Sequence, residues 1–479
     1  MKPNIKKILL PLFICTLLLS PASAELTAKI NSIITRNSQE KTHFSIHIAE
    51  PETSTTIYEH NAHEAVLPAS NMKIIITAAA LELLGPDFAY KTSIGLCSDS
   101  VVVIGDGDPL LADPITDTAH LRPPNLPAVH TDGWLFDDII KNLKLAGVTR
   151  IKDIIIDTSI FDDRRVHPNW PADQLNKWYA CEVSGLNYNT NCIEMTVENL
   201  NGRAVVHIQP DTDFIQIKNE VKVNTNVGSA VGAYRIGGKL NHLVVKGRCK
   251  KRTGPFKVAI QRPAALFGYI LAEKLIEANI PAEGQLLVQK PPSDCNFQQV
   301  CEYTTGLDTV LARCNKDSLS LAAEALTKTI AAKTKSPPGS WQKARNVITD
   351  YLIGIGVNKS EFYIDDASGL SRQNRLSAYA LTTTLTSVYK SRHWQKYKRS
   401  LAKGGIDGTI EKFFNDKRYR GKILGKTGYI AGVKSFSGLC ITDRGDYIFS
   451  ILANNANGKT RSAINDIAKA IIDEYSHSK

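Results

Sequence analysis

The chain has 479 residues, 43% hydrophobic and 22% charged. This is ordinary globular composition with too much sequence for one core, so it excludes a disordered chain and predicts two or three domains. The formal charge is +11, with no basic stretch interleaved with aromatics, which argues against nucleic acid as a partner.

Residues 1–24 carry Lys2, Lys6 and Lys7, an apolar run over 8–19, and Ala22-Ser23-Ala24. That is the order of a secretory signal with a small-x-small cleavage site, and it predicts a mature start at Glu25 and an exported, periplasmic or otherwise extracytoplasmic protein. The run is too short to span a bilayer. Without these residues, which hold three lysines and no acids, the charge is +8. It suits peripheral association with anionic envelope polymers or a membrane surface, although scattered solvated lysines are the simpler explanation.

Residues 42–60 alternate polar and apolar about a turn at Pro51 and predict an antiparallel hairpin. The period then changes: Met72, Ile75, Ile76, Ala79, Ala80 and Leu83 predict an amphipathic helix stopped by Gly85-Pro86, with Ser70 in its first turn. A long middle, residues 92–257, is rich in short strand-like runs at 101–104, 151–156, 204–208 and 243–245, with one helical stretch over 136–146. Helical spacing returns from Arg262 to Ile276. Near the C-terminus, 422–428, 433–442 and 446–453 predict an antiparallel meander, and 464–475 a closing helix. The expected organisation is a catalytic domain from 25–91 and 258–479, with 92–257 inserted as one or two β-rich domains; a division into 92–115 with 190–257, and 116–189, is one way to cut it.

Eight cysteines lie outside the signal. In an oxidising compartment an even count permits disulfides; Cys181 with Cys192 and Cys295 with Cys301 are closest in sequence, but spacing leaves connectivity open. There is no C-x-x-C, and His63-Glu64 lacks the second histidine of a zincin, so no metal site is predicted.

A serine hydroxyl is a poor nucleophile at neutral pH and needs a base within hydrogen-bond reach. S-x-x-K provides one on a helix, yet it occurs six times, at Ser38, Ser70, Ser340, Ser387, Ser400 and Ser476. Only Ser70-Asn71-Met72-Lys73 opens a helix of the right pattern, after Leu67-Pro68-Ala69. Lys426-Thr427-Gly428 occurs once, in strand-like sequence. Together they point to serine acyl transfer. S-x-N, the third element of such sites, is absent; the nearest candidate is Ser318-Leu319-Ser320. Ser318 there reads equally as a proton relay or as the N-cap of a helix over 321–330.

The chain resembles the D-alanyl-D-alanine carboxypeptidase/endopeptidase family of low-molecular-mass class C penicillin-binding proteins. The likeness runs from about Phe44 to the C-terminus. Besides the two motifs it includes Asp162, Trp170-Pro171, Tyr179-Ala180, Ser184, Asn191-Cys192, Asp366-Ala367-Ser368-Gly369-Leu370-Ser371-Arg372 and Gly405-Ile406-Asp407-Gly408-Thr409. It implies an α+β fold, a DD-peptidase/β-lactamase-like catalytic domain with an antiparallel sheet flanked by helices and inserted β-rich domains. It also implies catalytic roles for Ser70, Lys73, Ser318 and Lys426, and substrate contacts from Thr427, Ser320, Gly428 and Tyr429, with no cofactor.

The implied substrates are peptidoglycan stem peptides ending in D-Ala-D-Ala, with β-lactams as covalent inhibitors. Two positions depart from the family pattern: Ser320 stands where Asn is usual, and Tyr429 where a smaller residue follows K-T-G. The rival readings are a catalytically impaired penicillin-binding or wall-scaffolding protein and a β-lactamase-like hydrolase. Asp366 to Arg372 read as a buried structural turn.

Overall fold

A computed structural model describes residues 21–116 and 133–476, with side chains from Ala24. The expected signal therefore lies almost wholly outside the described residues. Among the described residues no helix is long and apolar enough to cross a membrane.

The first and last strands of the chain meet in one six-stranded antiparallel sheet. Its order is Ala402–Lys403, Ile423–Ile430, Val433–Thr442, Gly445–Asn454, His43–Glu50, Thr55–His60. The predicted hairpin and meander are both present, with Ile48 opposite Tyr58 and Gly428 opposite Ser435. Side chains of successive strand residues leave on opposite faces. Along Gly445–Asn454, Tyr447, Phe449, Ile451 and Ala453 enter one core, and Ile448 and Leu452 another. A strand covered on both sides needs no polar face, which is why this segment is nearly continuously apolar.

The first of these cores is closed by the helices Pro21–Ile34 and Thr460–Tyr475, which bury Leu26, Ile30, Ile464, Ile467 and Ile471. On the other face lies the helix Met72–Leu84, ended by Gly85 at φ 85°. The structure corrects the expectation that it is amphipathic: every residue from Met72 to Leu81 is buried. It runs between the helices Leu307–Lys316, Ser320–Thr334 and Ala378–Tyr389. Each large apolar side chain so buried contributes roughly 1.5–3 kcal/mol, which offsets the cost of taking Lys73 out of water.

A second core gathers the middle of the chain. A five-stranded sheet runs in the order Leu286–Val288, Ile154–Asp157, Ser100–Ile104, Ala89–Cys97, Gln298–Gly306. The helices Trp134–Leu145 and Pro263–Glu277 cover it. Two three-stranded sheets follow, formed from 192–209 with 252–259 and from 216–249.

Strand pairing departs from the expected boundaries in two places. Ser100–Ile104 pairs with Ile154–Asp157, not with anything in 190–257. Gln298–Gly306 pairs along the whole of Ala89–Cys97, and Leu266, Phe267, Ile270 and Leu271 sit in the second core. The packing of the middle thus continues to Gly306, well past residue 257. Cys97 and Cys295 are disulfide-bonded across this sheet, while Cys181, Cys192 and Cys301 are free thiols.

Candidate active site

The helix Met72–Leu84 is entered through a 3-10 turn, Ala69–Asn71, and this turn carries Ser70. Ala69 is in the left-handed region at φ 47°, a conformation that costs a non-glycine residue about 1–3 kcal/mol and clusters at functional sites. The strand Ile423–Ile430 fixes the turn from one side. Asn71 Nδ2 donates to the Lys426 carbonyl at 2.5 Å, and Ser437 Oγ donates to Asn71 Oδ1 at 3.1 Å. Ser435 Oγ donates to the Pro68 carbonyl at 2.7 Å. Gly428 is needed at this contact: a Cβ there would lie 2.1 Å from Ser435 Oγ and 2.9 Å from the Ser70 nitrogen.

Ser70 and Lys73 are three residues apart across one turn, so their side chains meet. Lys73 Nζ donates to Ser70 Oγ at 3.2 Å and to the Ser368 carbonyl at 2.8 Å, and lies 3.5 Å from Ser320 Oγ. It is fully buried, and burial pulls its pKa down; the Cys314 thiol, Glu324 and Asp366 pull the other way. A lysine held in this way is suited to act as a base.

Lys426 lies on the strand face that also carries Leu424, and its Nζ donates to Ser318 Oγ at 2.8 Å and to the Thr427 carbonyl at 2.7 Å. Its pKa is held well below the ordinary lysine value, by burial first and then by the Lys73 cation. Ser318, at φ 60°, does not cap the following helix, whose N-cap is Leu319 with no side-chain bond. Its hydroxyl is turned to Lys426 instead. Among the other S-x-x-K matches, Ser340 caps the helix Trp341–Gly354 by accepting from the Lys343 N–H.

These groups open into a cleft of about 600 Å³, lined by Ser70, Ser318, Ser320, Thr409, Thr427 and Tyr429, with Trp178, Tyr179, Leu370 and Arg372 on its rim. Thr427 Oγ1 donates to Thr409 Oγ1 at 2.8 Å. Ala402–Lys403 pairs only with Leu424 and Gly425. Beyond Gly425 the strand edge bordering the cleft has no further strand partner among the described residues. Tyr429 is 70% exposed, so its side chain leaves the floor of the cleft clear.

Residues 26–475 match the family model described as D-Ala-D-Ala carboxypeptidase 3 (S13). The chain belongs to this family. Membership makes it a serine peptidase, a hydrolase of the D-Ala-D-Ala carboxypeptidase class. It is 25% identical over 504 aligned residues to a D-alanyl-D-alanine carboxypeptidase of Actinomadura sp. strain R39, an alignment covering 97% of this chain and 89% of that one. It is 24% identical to D-alanyl-D-alanine carboxypeptidase DacB of Haemophilus influenzae, over 82% of this chain and 81% of the relative. The crystal structure of penicillin-binding protein 4 from Haemophilus influenzae superposes with a TM-score of 0.76 at 22% identity, covering 95% of this chain and 99% of that one. That likeness shows the fold, an α+β arrangement shared with penicillin-binding proteins.

Within the S13 chain two groups beside the cleft escaped the sequence reading, the Ser368 carbonyl and Glu324, whereas the buried turn expected at Asp366 to Arg372 is present. The Ser368 carbonyl holds Lys73 through main chain, which has no residue signature. Asp366 is the hub of its turn, accepting from the Gly369 and Ser371 N–H groups and from Trp170 Nε1 and Asn374 Nδ2. That turn presses on the segment carrying Ser70: a Cβ on Gly369, itself at φ 81°, would lie 1.8 Å from the Ala69 carbonyl oxygen. The other is Glu324, a carboxylate buried on its helix; a charge among Leu321, Ala322, Ala323, Ala325 and Leu326 was the available signal.

Proposed function

We propose that the protein is an exported serine D-alanyl-D-alanine carboxypeptidase/endopeptidase acting on peptidoglycan stem peptides through a Ser70 acyl-enzyme, and that penicillins acylate the same serine. The observation that carries this reading is the pair of buried lysines, each within hydrogen-bond reach of a serine hydroxyl in one cleft. In the proposed reaction Lys73 takes the Ser70 hydroxyl proton as Oγ attacks the carbonyl carbon of the penultimate D-alanine. Backbone N–H groups of Ser70 and Tyr429 receive the oxyanion. The peptide C–N bond breaks as Ser318, supported by the Lys426 charge, passes a proton to the leaving D-alanine nitrogen and is reprotonated by the proton that Lys73 took from Ser70. Water then cleaves the acyl ester and returns the proton to Ser70.

In this reading Thr427 binds the terminal carboxylate, and the open strand edge from Lys426 suits backbone pairing with an extended peptide. Ser320 provides a hydroxyl where the family pattern has a carboxamide, so the acyl-side amide of the substrate loses a donor or is met through water. The expected outcome with a reporter penicillin is a persistent adduct that Ser70→Ala abolishes, and with a D-Ala-D-Ala-terminated peptide, release of D-alanine. Neither adduct nor D-alanine would sink the proposal in favour of a scaffold, and rapid penicillin turnover would favour a β-lactamase.

A further inference from the structure

Behind the Ser70–Lys73 pair lies a carboxylate that no step above uses. Glu324 is one helical turn beyond Ser320 and fully buried. Its Oε1 accepts from the Ser368 N–H at 2.8 Å, and its Oε2 from Trp341 Nε1–H at 2.7 Å and the Ala367 N–H at 3.3 Å. The next peptide unit presents its carbonyl, that of Ser368, to Lys73 Nζ at 2.8 Å, and its N–H, that of Gly369, to Asp366 Oδ1 at 2.9 Å. Ser368 is thus clamped from both sides by carboxylates, and the direction of its carbonyl is fixed.

We propose that Glu324 is a positioning residue for Lys73: it fixes the Ser368 carbonyl against the lysine, and its charge governs how readily Lys73 gives up its proton and becomes a base. This rests on the reading of Lys73 as the base for Ser70. The groups facing Lys73 are Glu324, Asp366 from the loop, Cys314 from the helix Leu307–Lys316, and Lys426 from the sheet. Those facing Glu324 are Asp366, Lys73, Cys314 and, on its own helix, Lys328, whose Nζ is tied to Asp162 at 2.6 Å. Burial and the Asp366 charge push the Glu324 carboxyl up to about 7. Its ionised and neutral forms are then both populated near neutral pH. The ionised form strengthens the hold of Lys73 on its proton, and the neutral form relaxes it.

The sign follows. Acylation requires neutral Lys73 and rises with pH, and removing the negative charge moves that rise to lower pH. The experiment measures the acylation rate of the full chain by a reporter penicillin from mildly acidic to alkaline pH, for wild type, Glu324→Gln and Trp341→Phe. Glu324→Gln is expected to lower the plateau and to shift the rising limb down by about half a pH unit or more. Below the midpoint the rate relative to plateau then rises about threefold or more. Trp341→Phe removes one donor from the carboxylate, favours its neutral form and shifts the limb the same way by less; it carries the test if Glu324→Gln does not fold. A limb that stays in place while only the plateau falls would overturn the inference, because a purely structural prop moves amplitude alone. Wild type that shows no Ser70-dependent acylation would overturn the reading of the site as well, so the two failures are distinct.

Discussion

The two walls of the cleft are built differently. The wall carrying Ser70 and Lys426 is a helix entrance and a sheet strand cross-tied by Asn71, Ser435 and Ser437, and both sequence motifs on it are intact. The wall carrying Ser318 and Ser320 is the junction of two helices, with Ser318 in the left-handed region and no carboxamide where the family pattern has one. Rigid elements hold a reacting constellation more tightly than a loop does. The wall that would make the ester is fully formed, and the wall that would meet the acyl-side amide is altered at Ser320.

Breaking the first wall should have the largest effects. Ser70→Ala is expected to remove penicillin labelling and to lower D-alanine release by about 10³-fold or more, read by gel fluorescence and by amino-acid assay. Gly428→Val is expected to cost roughly a hundredfold in kcat/KM, because its Cβ would drive apart the strand and the Ser70 turn. A variant with normal rate would show that this approach is not needed for catalysis. On the second wall the direction reverses. Ser320→Asn restores an amide within reach of the cleft and should raise acylation about tenfold, measured as the second-order rate with the same penicillin. An unchanged rate would count against Ser320 as the substrate-facing position. The smallest effect belongs to Tyr429→Ala: the side chain is largely exposed, and a change of about threefold or less, confined to KM, is expected from steady-state kinetics. A fall in kcat would place the ring nearer the chemistry than its exposure allows.

What could be read from the chain follows the range of the interactions. The hairpin at 42–60 and the helix from Met72 were legible from the spacing of their apolar residues, and the C-terminal meander from short strand-like runs separated by glycine-containing turns. The helix from Met72 was misjudged in one respect, since apolar residues at helical spacing do not say whether the remaining Ala and Thr positions face water or another helix. The extent of the second core was not legible. Gln298–Gly306 is only partly buried and finds its partner, Ala89–Cys97, some two hundred residues back, and local pattern has no bearing on such pairing. In the site, Ser70, Lys73 and Lys426 were found by context, whereas the Ser368 carbonyl could not be, because every residue has one.

The disulfide between Cys97 and Cys295 spans 198 positions of sequence. The Ser70 segment leaves the ring so formed at one end and the Ser318 and Lys426 segments at the other. A protease that cuts a single exposed turn between residues 98 and 294 would therefore leave Ser70 and Ser318 covalently joined. The nicked protein would migrate as one species until a reductant separated it into two fragments, only the N-terminal one carrying Ser70.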